Sequence, residues 1–226
     1  MGKRLLIAVI LALTWSAGLC GDISVAVLNF DNNSLFQKQD YSPLKRGLAE
    51  IVSTTLSNVS GLQLVERRRL DAIFDELKLS QSGMLSEMDG VEVGKLAGAQ
   101  YLVFGSFMAG SKKRIRIDTR IVCVETGLTV KAEEVTGKQG RVLSLADKLC
   151  RKIVKNLSES FDNVNMEAAG RPRDIDFKAL LYFSRGLDFT ASGDTAAAVK
   201  EYRRSLQEEP SFILAKERLN SILKAE

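Results

Sequence analysis

Residues 114–123 read RIRIDTRIVC, and their strict alternation decides the fold. Ile115, Ile117, Thr119, Ile121 and Cys123 fall on one side of an extended chain, and Arg114, Arg116, Asp118 and Arg120 on the other. Successive side chains of a strand point to opposite faces, so this is a strand with one face buried and one wet. The same alternation suits a transmembrane barrel with a polar lumen. No aromatic girdle accompanies it, however, and the segments around it supply helices to cover a sheet. Tyr101 to Met108 and Leu128 to Thr136 read as the flanking strands, with turns around Gly110 and Gly127.

Further out, Ile23 to Phe30 (ISVAVLNF) is a β-branched, mostly apolar run that reads as a strand covered on both faces. Ser42-Pro43 places an N-cap before a first-turn proline, and Leu44, Leu48, Ile51, Val52 and Leu56 then recur at helical spacing to about Asn58. Leu62 to Val65 is a short strand. Leu70, Ile73, Phe74 and Leu77 stripe the helix after it. Asp89 and Glu92 resemble a capping box opening a short helix that ends at Gly98. Val142, Leu145, Ala146, Leu149, Ile153 and Leu157 stripe a long helix. The order β-α-β-α-α-β-β-β-α predicts an α+β, mixed α/β domain: a five-stranded mixed sheet packed with helices.

The chain of 226 residues has 45% apolar and 27% charged residues, ordinary for a globular protein with one or two cores. It contains no His, which excludes a Ser-His-Asp or Cys-His pair, His-ligated zinc and a histidine pH switch. Three cysteines, at 20, 123 and 150, do not make a four-thiolate site. Gly90 to Leu96 (GVEVGKL) has three residues between its glycines where a phosphate loop needs four, and Leu96 replaces the magnesium-binding hydroxyl. No enzyme activity, cofactor, metal or small-molecule substrate is expected.

At the N-terminus, Lys3-Arg4 precede an apolar run from Leu5 to Leu13 and then Ser16-Ala17-Gly18. This has the form of an export signal with a small-x-small cleavage site, and the run is shorter than the roughly 20 residues a spanning helix needs. Removing residues 1–20 leaves 30 basic against 28 acidic residues, a balance of +2 that gives no support to nucleic acid as a partner. Cys20 is a candidate lipidation site, although Leu19 is large where a lipoprotein signal carries a small residue. A lipid anchor there is the one membrane attachment expected.

Residues 162–176, DNVNMEAAGRPRDID, lack hydrophobic periodicity and read as a linker. Beyond it, Tyr182, Gly186, Phe189, Gly193, Ala198, Tyr202 and Pro210 fall at the spacings of a tetratricopeptide repeat, a helix-turn-helix of about 34 residues. Ala215, Leu219 and Ile222 mark a further helix capping it. One repeat does not bury its own apolar face, so the unit packs on the first domain or on another chain. Leu180, Phe183, Leu187 and Thr190 are the candidate lining of a partner-binding groove, or else simply the surface packed against that neighbour. The expected organisation is a signal peptide at 1–20, an α/β domain at 21–161, a linker at 162–176 and an all-α tetratricopeptide-like unit at 177–226. Arg67-Arg68-Arg69 and Lys112-Lys113-Arg114 read as solvated basic surface, with an acidic partner as the functional alternative. Cys123 and Cys150 either pair in an oxidising compartment or remain free.

GLQLVERRRLDAIFDELKLSQSG (61–83) followed by GKLAGAQYLVFGSF (94–107), after ISVAVLNFDNNS (23–34), resembles the signature of the curli assembly/transport (CsgG) family. A strand ending in V-E-R runs into a helix beginning R-L-D-x-I, and the resemblance covers roughly residues 23–161. It implies a non-catalytic envelope protein in the periplasm, or at the periplasmic face of the outer membrane, of a double-membraned bacterium. Its expected partners are envelope proteins or further copies of itself. The resemblance also admits a subunit of an outer-membrane secretion complex or a lipoprotein activator of a peptidoglycan synthase. Channel members carry extra hairpins for which this chain has no spare segment, so the expectation is an assembly or adaptor module.

Overall fold

The computed structural model describes residues 22–79, 86–110, 112–166 and 173–224. The export-signal reading and Cys20 lie outside these residues. Strand β1 (Ile23–Val27) pairs in parallel with β3 (Leu62–Leu64) on one side and β4 (Tyr101–Gly110) on the other, and β4, β5 (Arg114–Cys123) and β6 (Thr129–Lys138) form an antiparallel meander. A two-residue strand β2 (Asp31–Asn32) also pairs in parallel with β4 and makes the sheet six-stranded rather than five. The sequence run from Ile23 to Phe30 stops as a strand at Val27, and the chain then shifts along β4 to form β2.

Different helices cover the two faces of the sheet, and one face stays open over β5 and β6. Val25, Val27, Val103, Phe107, Ile115 and Ile117 pack with α1 (Leu44–Leu56) and α4 (Val142–Ser158). Ala26, Leu28, Leu102 and Val122 pack with α2 (Arg67–Glu76) and α3 (Glu87–Ala97). Val122 keeps the alternation of β5, on the side of Arg116 and Arg120, but is buried in the second cluster beside Val124; the register shift opposite it is taken up by β6, where Val130 is the extra residue. One end of the face expected to be wet is therefore dry.

Helix α3 starts earlier than the Asp89/Glu92 pair suggests. Ser86 is the N-cap, its hydroxyl accepts from the Asp89 amide at 3.1 Å, and the Asp89 carboxylate accepts from the Ser86 amide at 3.3 Å. The helix ends at Gly98, where φ of 67° favours glycine. Pro43 itself occupies the N-cap of α1, one position before the first-turn site assigned to it.

The C-terminal helices α5 (Phe177–Ala191), α6 (Thr195–Glu208) and α7 (Ile213–Leu223) share the larger hydrophobic cluster with α1 and α4. Phe183 centres their packing, its ring 4.9 Å from Phe212 and 5.9 Å from Tyr202. A Cβ at Gly186 would lie 2.5 Å from the Tyr202 ring, which is why a glycine stands where α5 and α6 meet. Gly47 plays the same part between α1 and α5: a Cβ there would lie 1.9 Å from Ser184 Oγ. Within residues 162–176, Val164 and Ile175 are buried, and the main chains of Ser60 and Asn165 exchange hydrogen bonds of 3.1 and 3.2 Å. The two halves are thus joined by a continuous apolar core.

Candidate functional site

The four residues expected to line a partner groove divide in the structure. Leu180 and Phe183 have no exposed surface and Leu187 retains 6%. Helix α1 of the same chain, with the neighbouring α6, covers that face, so these three are internal packing and do not form an open groove for another protein. Thr190 lies toward the exposed end of α5, its hydroxyl donating to the Gly186 carbonyl at 2.8 Å and 3.0 Å from the Tyr202 hydroxyl.

What the packing of α5 against α1 creates instead is a charged cleft at the junction of the halves. It has a volume of about 610 Å³ and is bordered by α1, α2, α5, α6 and α7, with Arg46, Glu50, Arg67, Asp71, Tyr202 and Arg218 among its lining. Past Arg46 and Asp71 it continues into a hollow of about 490 Å³ that includes Lys45 and Asp188.

The interactions in the cleft link residues distant in sequence. The buried Arg46 guanidinium binds Asp71 through two bonds, Nη1 to Oδ2 at 2.9 Å and Nη2 to Oδ1 at 3.2 Å. Its Nε lies 3.6 Å from Asp188 Oδ1 on α5. Glu50, buried on α1, accepts a hydrogen bond from Arg218 on α7. Two-point guanidinium–carboxylate pairing is the strong form of ion pair, and losing one member of a buried pair strands the other.

Arg67, the first residue of α2, departs from its expected place on solvated surface. Its Nη1 and Nη2 are out of contact with water, and neither has a hydrogen-bond partner among the described residues. Burial, together with the neighbouring charges of Arg46 and Arg218, pushes its guanidinium down to about 10, with Asp71 and Glu50 only partly opposing. The group therefore stays cationic at neutral pH. Partial burial pushes Asp188 up to about 6, against the pull of Arg46 and Lys45. Burial also draws the Lys45 ammonium below its ordinary range, partly offset by Asp31 and Asp188.

The signal for this cleft in the sequence is faint. Arg46 and Glu50 interrupt the apolar stripe of α1 at a helical spacing, and three arginines occupy the first turn of α2, the end where the peptide dipoles favour anions. The open part of the other sheet face forms a charged hollow of about 340 Å³ whose arginines are engaged by carboxylates. Arg116 meets Asp118 and Glu134, each at 2.7 Å, and Arg120 bonds Glu87. The thiols of Cys123 and Cys150 are free. Among the described residues, no group of three metal-ligating side chains is present and no helix is long and apolar enough to cross a membrane.

Residues 8–110 match the family model described as curli production assembly/transport component CsgG. The match ends short of residue 161, the limit of the sequence resemblance, and leaves β5, β6 and the later helices outside it. No curated protein matches the chain. Among solved structures, the LpoB C-terminal domain from Salmonella enterica is 18% identical, covering 54% of this chain and 87% of its own, with a TM-score of 0.41. Lipoprotein GNA1162 from Neisseria meningitidis is 15% identical over 61% of this chain and 97% of its own, TM-score 0.38. The PelC dodecamer from Paraburkholderia phytofirmans is 15% identical over 61% of this chain and 89% of its own, TM-score 0.36.

Proposed function

On the premise that residues 8–110 match the curli production assembly/transport family, we propose that this chain is an exported, non-catalytic assembly or adaptor module of the bacterial envelope. It works in the periplasm or at the periplasmic face of the outer membrane by binding envelope proteins. The family match is the observation that carries this reading. The basic and apolar start of the chain, read as an export signal, agrees with it. So does the C-terminal helix pair, whose spacing is that of a tetratricopeptide repeat and whose general use is to present a protein-binding surface.

The adaptor is favoured over a secretion-ring subunit by the use of the strands. All six strands of the described residues pair into one sheet, and helices cover much of both its faces. The test is site-specific photo-cross-linking in cells of the native host, with the photoreactive residue at Ala191 or Ser192, on the rim of the cleft hollow. The adaptor reading expects a cross-link to a discrete envelope protein and a monomer or small oligomer after mild extraction. A detergent-resistant ring in which the chain cross-links only to itself overturns it in favour of the transport complex.

A further inference from the structure

We propose that one end of the sheet docks on an anionic lipid bilayer, with Leu35 and Phe36 entering the bilayer surface and the basic turn between β4 and β5 lying against the headgroups. This goes beyond the adaptor reading and adds a membrane contact to the one expected at Cys20.

The loop between β2 and α1 is inverted in polarity. Asn32 and Ser34 are buried, whereas Leu35 and Phe36 are 79% and 65% exposed. Hydrogen bonds fix this arrangement. The Asn32 side chain accepts from the Ser34 amide at 3.0 Å and donates to the Lys38 carbonyl at 2.7 Å. Ser34 Oγ accepts from the Ala109 amide at 2.9 Å, and the Tyr41 hydroxyl donates to Gln37 Oε1 at 3.0 Å. A large apolar pair held out in water by buried polar groups marks a surface that something else covers.

Charge identifies what covers it. Ala109, bonded to Ser34, lies just before the turn that joins β4 to β5, so the apolar tip stands at the same end of the sheet as Lys112, Lys113 and Arg114. The Gln139 amide donates to the Lys113 carbonyl at 2.8 Å and brings Lys138 to that end as well. All four cations are exposed, and none forms a salt bridge among the described residues. Arg114 and Lys138 stand directly opposite each other on β5 and β6, a like-charge pair that is unfavourable without an anion to relieve it. The carboxylates of Asp118 and Glu134 are engaged by Arg116, and Asp40 is the one acid in residues 33–43.

An apolar tip flanked by cations has the form of an interfacial membrane contact, in which apolar insertion and attraction to anionic lipid add together. A protein partner fits less well. Interface cores are depleted in lysine, and two apolar side chains supply little of the roughly 800 Å² per partner that a stable complex buries. Strand β1 enters the sheet at the opposite end, where Val25 pairs with Tyr101, so this contact is distinct from an anchor at Cys20.

The test is co-sedimentation of the protein, purified from its native host, with phosphatidylcholine vesicles and with mixed phosphatidylglycerol–phosphatidylcholine vesicles. An acyl chain at Cys20 would hold the protein to both, so the difference between them reads the proposed end. Binding to the mixed vesicles should be at least about tenfold tighter and should weaken as ionic strength rises. The double variants Leu35→Ser/Phe36→Ser and Lys112→Glu/Lys138→Glu should each weaken it at least about tenfold, with the melting temperature unchanged because all four side chains are exposed. The fluorescence of Phe36→Trp, read against wild type, should be quenched by brominated acyl chains, and carries the test if the serine variant does not fold.

The proposal is overturned if the mixed vesicles bind no tighter than the neutral ones, if the folded variants bind like wild type, or if the Phe36→Trp signal is not quenched. A photo-cross-linker at Phe36 that captures a protein rather than lipid in cells also overturns it, assigning the tip to a protein interface. The vesicle assay uses purified protein and lipid alone. Its failure is therefore separate from failure of the adaptor reading, which cross-linking at Ala191 or Ser192 decides.

Discussion

Gly186 shows how a single missing methyl group sets the helical unit. Tyr202 is completely buried against it, so Gly186→Ala must displace a large ring in a filled core. The expected cost is about 1–3 kcal/mol of unfolding free energy despite alanine's better helix propensity, measured by urea denaturation. An unchanged or higher midpoint would show that the ring moves freely. Asp188 makes a prediction about pH. Its folded-state value, about 6, lies above the usual 3.8, so the folded protein holds more protons than the unfolded one between those values. Its contribution to stability is present below the unfolded value and is lost as pH rises through about 6. Asp188→Asn mimics the protonated form, and its stability relative to wild type should improve as pH is raised from about 4 to about 7. A relative stability that falls over that range contradicts the partial burial of Asp188 beside Arg46 and Lys45.

Among elements, the joint between α1 and α2 depends on the Arg46–Asp71 pair, two bonds from a buried guanidinium to one carboxylate. Asp71→Asn keeps the shape but removes the charge, and should destabilise the protein by about 3 kcal/mol in thermal or chemical unfolding. A loss below about 0.5 kcal/mol would place the pair among weak surface bridges. The elements themselves were unequally legible. The alternation of Ile115, Ile117, Thr119 and Ile121 gives β5 because burial of one face imposes a period of two. The start of α3 reads too late from the sequence because Asp89 with Glu92 has the form of a capping box, whereas the hydrogen-bond geometry puts Ser86 at the N-cap and Asp89 three residues on. Strand β2 has two residues and owes its pairing to β4, so no local pattern announces it. Leu180, Phe183 and Leu187 were recognisable as an apolar helix face, but sequence spacing does not tell a free groove from a face covered by α1. The cleft was least legible: Arg46, Glu50, Asp71, Asp188 and Arg218 each resemble solvated surface residues until five helices bring them together.

For the whole molecule, the shared core makes the C-terminal helices part of the same folding unit as the sheet. Phe177 on α5 meets Tyr41 at a ring distance of 5.9 Å, and Gly47 lets α5 approach α1. Gly47→Leu would force these helices apart. Wild type should unfold in one calorimetric transition, whereas the variant should show two, or lose its C-terminal helices to limited proteolysis. Two transitions in wild type would mean that the halves are energetically independent, and the cleft between them would lose its rigid frame. The broader claim is that this body acts in the cell envelope, and its most direct test is the intact mass and N-terminal residue of the protein isolated from its native host. The account predicts an envelope protein whose first residue lies between Leu19 and Gly21, with a start at Cys20 and added acyl mass identifying a lipoprotein. An intact chain beginning at Met1 and recovered from the cytoplasm would contradict it.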